Sequence, residues 1–232
     1  MKGASEARLL VELDRRGLLL ESDPRRPSVA GLVAGERIRG TWWAHPRSHE
    51  IYARLERLAD HKDVLRSKLV SGKVTLVHRR LWPALLGVAK SGEAWQTEGL
   101  PALARALAAR VTREGSVRTD RLHWKNAGEL ARELERRLLV HGESVHTESG
   151  AHAKVLETWE RWAERSGAGR PLPLPDAKRR LEEAVEALGG GDLPWARASL
   201  ASTTPSASRR PAPRKPSGLR RAPPIPRRTR RP

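Results

Sequence analysis

Cysteine is absent from the 232-residue chain, and phenylalanine is absent with it. Without thiols, disulfide frameworks and thiolate metal centres are excluded. With no Phe, one Met and one Tyr, bulky apolar packing falls to the aliphatic residues and to eight Trp. No apolar run approaches the roughly 20 residues of a membrane span. The opening "MKGASEARLLVELDRRG" is too charged for a signal peptide. The expectation is a soluble, cytoplasmic, bacterial protein with no membrane contact. Familiar catalytic loops are missing as well: there is no P-loop, GxGxxG, GxSxG or HExxH. No cofactor is implied.

Acid is scarce in one place. From Pro205 to Pro232 the chain has ten Lys and Arg and no Asp or Glu, so the first 204 residues keep +8 of the net +18. Such charge attracts phosphate backbones and makes nucleic acid the expected partner. A bland cause competes, because a GC-rich genome inflates Arg, and only nine of the 45 basic residues are Lys. The Pro-spaced pairs Arg209, Arg210, Arg220, Arg221, Arg227 and Arg228 suit non-specific phosphate contact from an extended tail. With too little apolar mass to fold, 196–232 reads as disordered.

What is present alternates helices with short hairpins. Leu9, Leu10 and Leu13 predict a helix ending near Gly17, and Ile51, Leu55, Leu58 and Ala59 predict another. "DVLRSKLV" and "KVTLVH" read as a hairpin around Ser71-Gly72, followed by a helix in which Pro83 must sit in the first turn. "LPALARALAARV" predicts a helix, and Asn126 with Glu129 opens the next. Gly142-Glu143 reads as the loop of a second hairpin, and "HAKVLETWERWAER" as the helix after it. "DAKRRLEEAVEAL" is a short helix between Asp176 and Gly189. The fold class is therefore mainly α with short β-hairpins (α+β). Its helix–hairpin–helix order appears twice, over 48–89 and 127–165. The boundaries read as an N-terminal domain over 1–97, a module over 98–165, a linker with a short helix over 166–195, and the tail.

The stretch from Leu100 to Arg165, a helix and then a helix–hairpin–helix, resembles the winged-helix family in its order of elements. That resemblance implies a nucleic-acid-binding or protein-interaction module. The first half is similar to uncharacterised bacterial proteins, which implies no activity. Winged-helix DNA glycosylases with a Gln-based motif do not fit, since the single glutamine, Gln96, lies in a linker-like stretch.

Three groups of residues could carry function. Around the first hairpin, Arg66, Lys68, Lys73, Arg79 and Arg80 form a cationic strip, with no acid from Lys68 to Arg80. Such a strip suits phosphate contacts, or equally a solvated sheet edge. In "GTWWAHPRSHE", Trp42 or Trp43 suits stacking on a base or packing in the core, and His45 with Glu50 suits acid–base work. His141, His146 and His152 could hold zinc, but H-x4-H-x5-H matches no familiar ligand spacing. The function expected is nucleic-acid binding, DNA before RNA. The alternatives are a nucleic-acid-processing enzyme with a pocket at Trp42, Trp43, His45 and Glu50, and an adaptor that binds a protein partner. Oligomeric state is not legible.

Overall fold

A computed structural model describes residues 4–147 and 152–196. The basic tail, apart from Ala196, lies outside the described residues, and so do its six candidate arginines. The described residues form a mixed α and β fold with two three-stranded antiparallel sheets. No helix among the described residues is long and apolar enough to cross a membrane.

The first half begins with α1 (Glu6–Arg16), where the Ser5 hydroxyl accepts the Arg8 N–H and Gly17 closes the helix at φ 81°. Gly17 frees the chain to turn at once into β1 (Leu18–Leu20), followed by α2 (Val29–Ala34) and α3 (Ser48–Ala59). Strands β2 (Val64–Ser67) and β3 (Thr75–His78) complete a sheet of order β1-β3-β2. All three β1 residues are buried because both faces of the sheet are covered. Leu19, Val64 and Leu76 join the core beneath α1, α2 and α3. Leu18, Leu20, Leu65 and Val77 join a second core on the other side.

The same order of elements recurs. Short helices α4 (Trp82–Ala89) and α5 (Ala94–Thr97) lead to α6 (Ala102–Glu114), β4 (Ser116–Arg118), α7 (Ala127–Arg136), β5 (His141–His146) and β6 (His152–Glu157). This sheet has the order β4-β6-β5, so in both halves the last strand lies between the other two. Helices α8 (Trp159–Ser166) and α9 (Leu174–Leu188) follow.

The halves meet in the second core. It gathers one face of the first sheet, α4, α9, and Trp159 and Trp162 of α8. Gln96 pins the joint: it is 1 % exposed, and its amide donates to the carbonyls of Ala89 and Arg137. The segment 166–195 therefore contributes more than a connection. Its helix α9 lies along α4 where Gly87 lets the chains touch, since a Cβ there would sit 2.4 Å from the Leu172 carbonyl oxygen and 2.9 Å from the Ala177 Cβ. Backbone oxygen cannot rotate aside. Gly87→Ala should therefore lower unfolding stability by about 2 kcal/mol or more, from overpacking, measured by urea denaturation. A change within experimental error would show that α9 can retreat freely.

Both hairpin expectations need correction. Ser71-Gly72 is not a two-residue turn, because Ser67 opposes Thr75 and residues 68–74 all belong to the connection. Leu69 and Val70 are drawn into the core, the Thr75 hydroxyl accepts the Val70 N–H, and the Ser71 N–H donates to the Asp192 carbonyl. Gly142-Glu143 is not a loop either. Both lie within β5, where Gly142 opposes Leu156. The glycine serves packing instead, since a Cβ at Gly142 would meet the Glu135 carboxylate at 2.5 Å. The stretch expected as one helix from His152 is strand to Glu157, and the helix begins only after the Thr158 hydroxyl accepts the Arg161 N–H.

Candidate functional site

The sheet geometry brings the strip residues to neighbouring positions but gives most of them partners inside the protein. Arg66 reaches Glu21 at 3.2 Å and Glu56 at 3.7 Å. Lys73 pairs with Asp23 at 2.7 Å and Arg79 with Asp63 at 2.9 Å. Arg80 donates to the Arg15 carbonyl at 3.2 Å. Lys68 alone of the five makes no hydrogen bond or ion pair among the described residues, and it is half-buried. Much of the strip's charge is thus met by acids distant in sequence.

His45 and Glu50 are engaged separately. The His45 Nε2 meets Glu36 at 2.9 Å, and its Nδ1 accepts the Arg47 N–H at 3.1 Å. With Nδ1 an acceptor, the proton sits on Nε2. Glu50 receives the Arg47 guanidinium at 2.6 and 3.0 Å, and the same arginine donates to the Ala34 carbonyl. Arg47 thereby staples the turn 42–47 to α2 and to the first turn of α3. These contacts order a loop and leave no direct pairing of His45 with Glu50.

What that loop presents is aromatic. The two tryptophans occupy a 3-10 turn, Trp42–Ala44, capped by the Thr41 hydroxyl. Their rings stack, with centroids 3.9 Å apart and planes 25° apart. Trp42 is 6 % exposed and donates its indole N–H to Glu21 at 3.2 Å, while Trp43 is 62 % exposed. Tyr52, on the outer face of α3, lies 5.7 Å from Trp43 and is itself partly open. The exposed residues Arg37 and Arg39 precede the turn and hold no protein partner among the described residues. Tyr52 was not singled out from the sequence. The available signal was its place on the helix, beside Ile51 but off the stripe formed by Ile51, Leu55 and Leu58.

Along the second sheet His141 stands apart from His146 and His152, whose side chains lie outside the described residues. His141 opposes Glu157 at one end of the β5–β6 pair, and His146 opposes His152 at the other. Five strand positions separate His141 from His146, about 17 Å. The His141 Nδ1 lies 3.1 Å from a Glu157 oxygen that also takes Arg165 at 2.5 Å, and the imidazole packs beside both Trp159 and Trp162 at 5.7 Å. Burial alone would raise the Glu157 pKa. The bonds from His141 and Arg165 outweigh it and hold the carboxyl below its ordinary range. This is a buried ionic joint beneath α8. No group of three His, Asp or Glu among the described residues could hold a metal ion.

Comparison with protein-family models, curated proteins and solved structures finds no match for this chain.

Proposed function

We propose that the protein binds nucleic acid through the face of its first half formed by α3 and the Trp42–Ala44 turn, with DNA the preferred substrate. One observation carries the reading: Trp43 is held open by a stack on its buried neighbour, next to Tyr52. One exposed aromatic alone would mean little, but Trp43 and Tyr52 adjoin and form an exposed apolar patch, the kind of surface that marks an interaction site. Bases have π-faces that such a ring accepts whatever the sequence, and Arg37 and Arg39 supply cations for the adjoining phosphates. The Arg/Pro-rich tail would add non-specific affinity.

The order of elements supports reading each half as a winged-helix-like unit. The first runs α1-β1-α2-α3-β2-β3. The second runs α6-β4, a 3-10 turn at Thr119–Arg121, then α7-β5-β6, and both sheets share one strand order. In that family the helix before the hairpin faces the duplex, which is the place of α3. The equivalent helix of the second half is less suited to phosphate, because Glu129 and Glu133 lie against Arg132, Arg136 and Arg137.

Fluorescence anisotropy with labelled single- and double-stranded oligonucleotides, over a salt series, tests the proposal. Trp43→Ala should weaken binding about tenfold, as loss of one stacked base implies. Stability should fall by no more than about 1 kcal/mol, the scale of one aromatic pair, because the outer face of the ring is exposed. If a chain ending at residue 196 loses all binding, or if Trp43→Ala binds like the parent, the reading fails.

A further inference from the structure

We propose a second site, for a phosphate ester, in the cleft between the two halves lined by Lys68, Trp95, Arg136 and Pro194. The cleft has a volume of about 250 Å³. This is slightly under the roughly 300–1,000 Å³ of common small-molecule pockets, and the cleft is open to solvent, so it can take the phosphate and sugar of a nucleotide while the base projects outward.

The charges on its wall divide into those that are spoken for and those that are not. Arg137 is spent on architecture: it holds Glu133 at 2.6 Å and donates to the carbonyls of Trp95, Gln96 and Glu98. Behind the cleft, Lys154 is paired with the buried Glu135 at 2.5 Å. Two cations, Lys68 and Arg136, then face the cavity, and the one carboxylate on its wall, Glu133, is held by Arg137. Lys68 has no partner among the described residues, and Arg136 has only Glu133 at 4.0 Å, an oxygen pair Arg137 already shares.

Burial is the main influence on the Lys68 ammonium. The Glu135 charge works against it and the charges of Lys154 and Arg136 add to it, with the net result that the pKa lies below the ordinary lysine value. A dianion arriving between Lys68 and Arg136 would relieve that crowding. It would receive one point-charge donor and one planar fork, the pair of side chains that suits a phosphate. Leu69, Pro194 and the Trp95 ring supply an apolar wall for the rest of the ligand. The site is independent of Trp43 and does not need the function proposed above.

Such a group could come from a free nucleoside monophosphate or from the terminal phosphate of a nucleic-acid strand. Titration calorimetry at low salt on the full chain, with adenosine monophosphate and with inorganic phosphate as probes, tests the site. Lys68→Gln and Arg136→Gln should each weaken binding tenfold or more. Lys62→Gln, the same charge change at an exposed position, should alter it less than twofold and so controls for the tail. Thermal melts check that each variant folds, and Arg136→Gln carries the test if Lys68→Gln does not. Equal binding by all variants, or no binding of either probe, overturns the proposal. Anisotropy with oligonucleotides that do or do not carry a 5′-phosphate assigns the source. A Lys68-dependent preference for the phosphorylated strand points to a strand end, and its absence alongside nucleotide binding points to the free ligand.

Discussion

Trp162→Ala is expected to destabilise the protein by about 4 kcal/mol, the middle of the range for loss of a core aromatic. Trp162 is 4 % exposed and lies edge-on to Trp82 at 5.1 Å and to Trp159 at 5.5 Å. Trp82 belongs to α4 of the first half, and its indole N–H donates to the Val77 carbonyl. Trp159 is held by the Leu138 carbonyl in the second half. Removing Trp162 therefore opens a cavity where the halves join, and neither neighbour can turn to fill it without breaking its own hydrogen bond. Urea denaturation followed by circular dichroism measures the loss. Trp162→Phe, which keeps an apolar ring, should recover more than half. A loss under 1 kcal/mol for the alanine variant would mean that the tryptophan cluster is not what couples the two halves.

That joint also marks where sequence reasoning stopped. Helices with strong local signals were legible: the Leu9 and Leu13 spacing with Gly17 as stop, Pro83 in the first turn of α4, and Gly189 as the stop of α9, although that helix starts at Leu174 and takes Asp176 into its first turn. The hairpins were not, for a physical reason. Ser71-Gly72 and Gly142-Glu143 carry good turn chemistry, but distant groups claim them, Asp192 in the first case and the Glu135 side chain in the second. Tertiary contacts outweigh a turn preference of this size. Strand β6 was misread for a related reason, since "HAKVLE" continues into a true helix and the change of period falls at Thr158.

The candidate sites follow the same rule. The exposure of Trp43 depends on a stack between adjacent rings, which a strand would have separated. The strip lost its apparent freedom to Glu21, Asp23 and Asp63. Asp23 lies 50 residues from Lys73. Gln96, a linker residue by composition, is a buried clamp because the short helix α5 folds back on the ends of α4 and α7. Charge scarcity and aromatic content could be counted in the sequence. Which charges remain uncompensated could not.

Replacing Asp23 by asparagine should cost about 3 kcal/mol at neutral pH, the scale for removing one member of a buried charged network. It should also flatten the acid side of the stability profile. The Asp23 side chain is 3 % exposed. One oxygen accepts the N–H groups of Arg25 and Arg26 at 2.9 Å each, and the other takes the Arg26 guanidinium at 2.9 Å and Lys73 at 2.7 Å. Burial alone would raise its pKa. Those four bonds prevail and hold it far below the usual carboxylate range. Lys73 is 43 % exposed, so water screens its share and the Arg26 and backbone bonds carry most of the effect.

An acid whose folded pKa lies below its unfolded value of about 3.9 stabilises the fold fully at neutral pH. That contribution is lost as pH falls below about 4 toward the lower folded value. Glu157, shifted in the same direction, should leave part of the acid slope in place in the variant. Arg26 also donates to the Gly190 carbonyl at 2.9 Å and to the Ser71 hydroxyl at 3.3 Å. Loss of Asp23 therefore frees the arginine that fastens the chain after α9 to the loop 68–74. Hydrogen exchange should then quicken at Ser71, whose N–H is bound by the Asp192 carbonyl, before it quickens in α4. A variant that matches the parent's stability at neutral pH and then loses stability with the same slope below pH 4 would show that this carboxylate is a bystander.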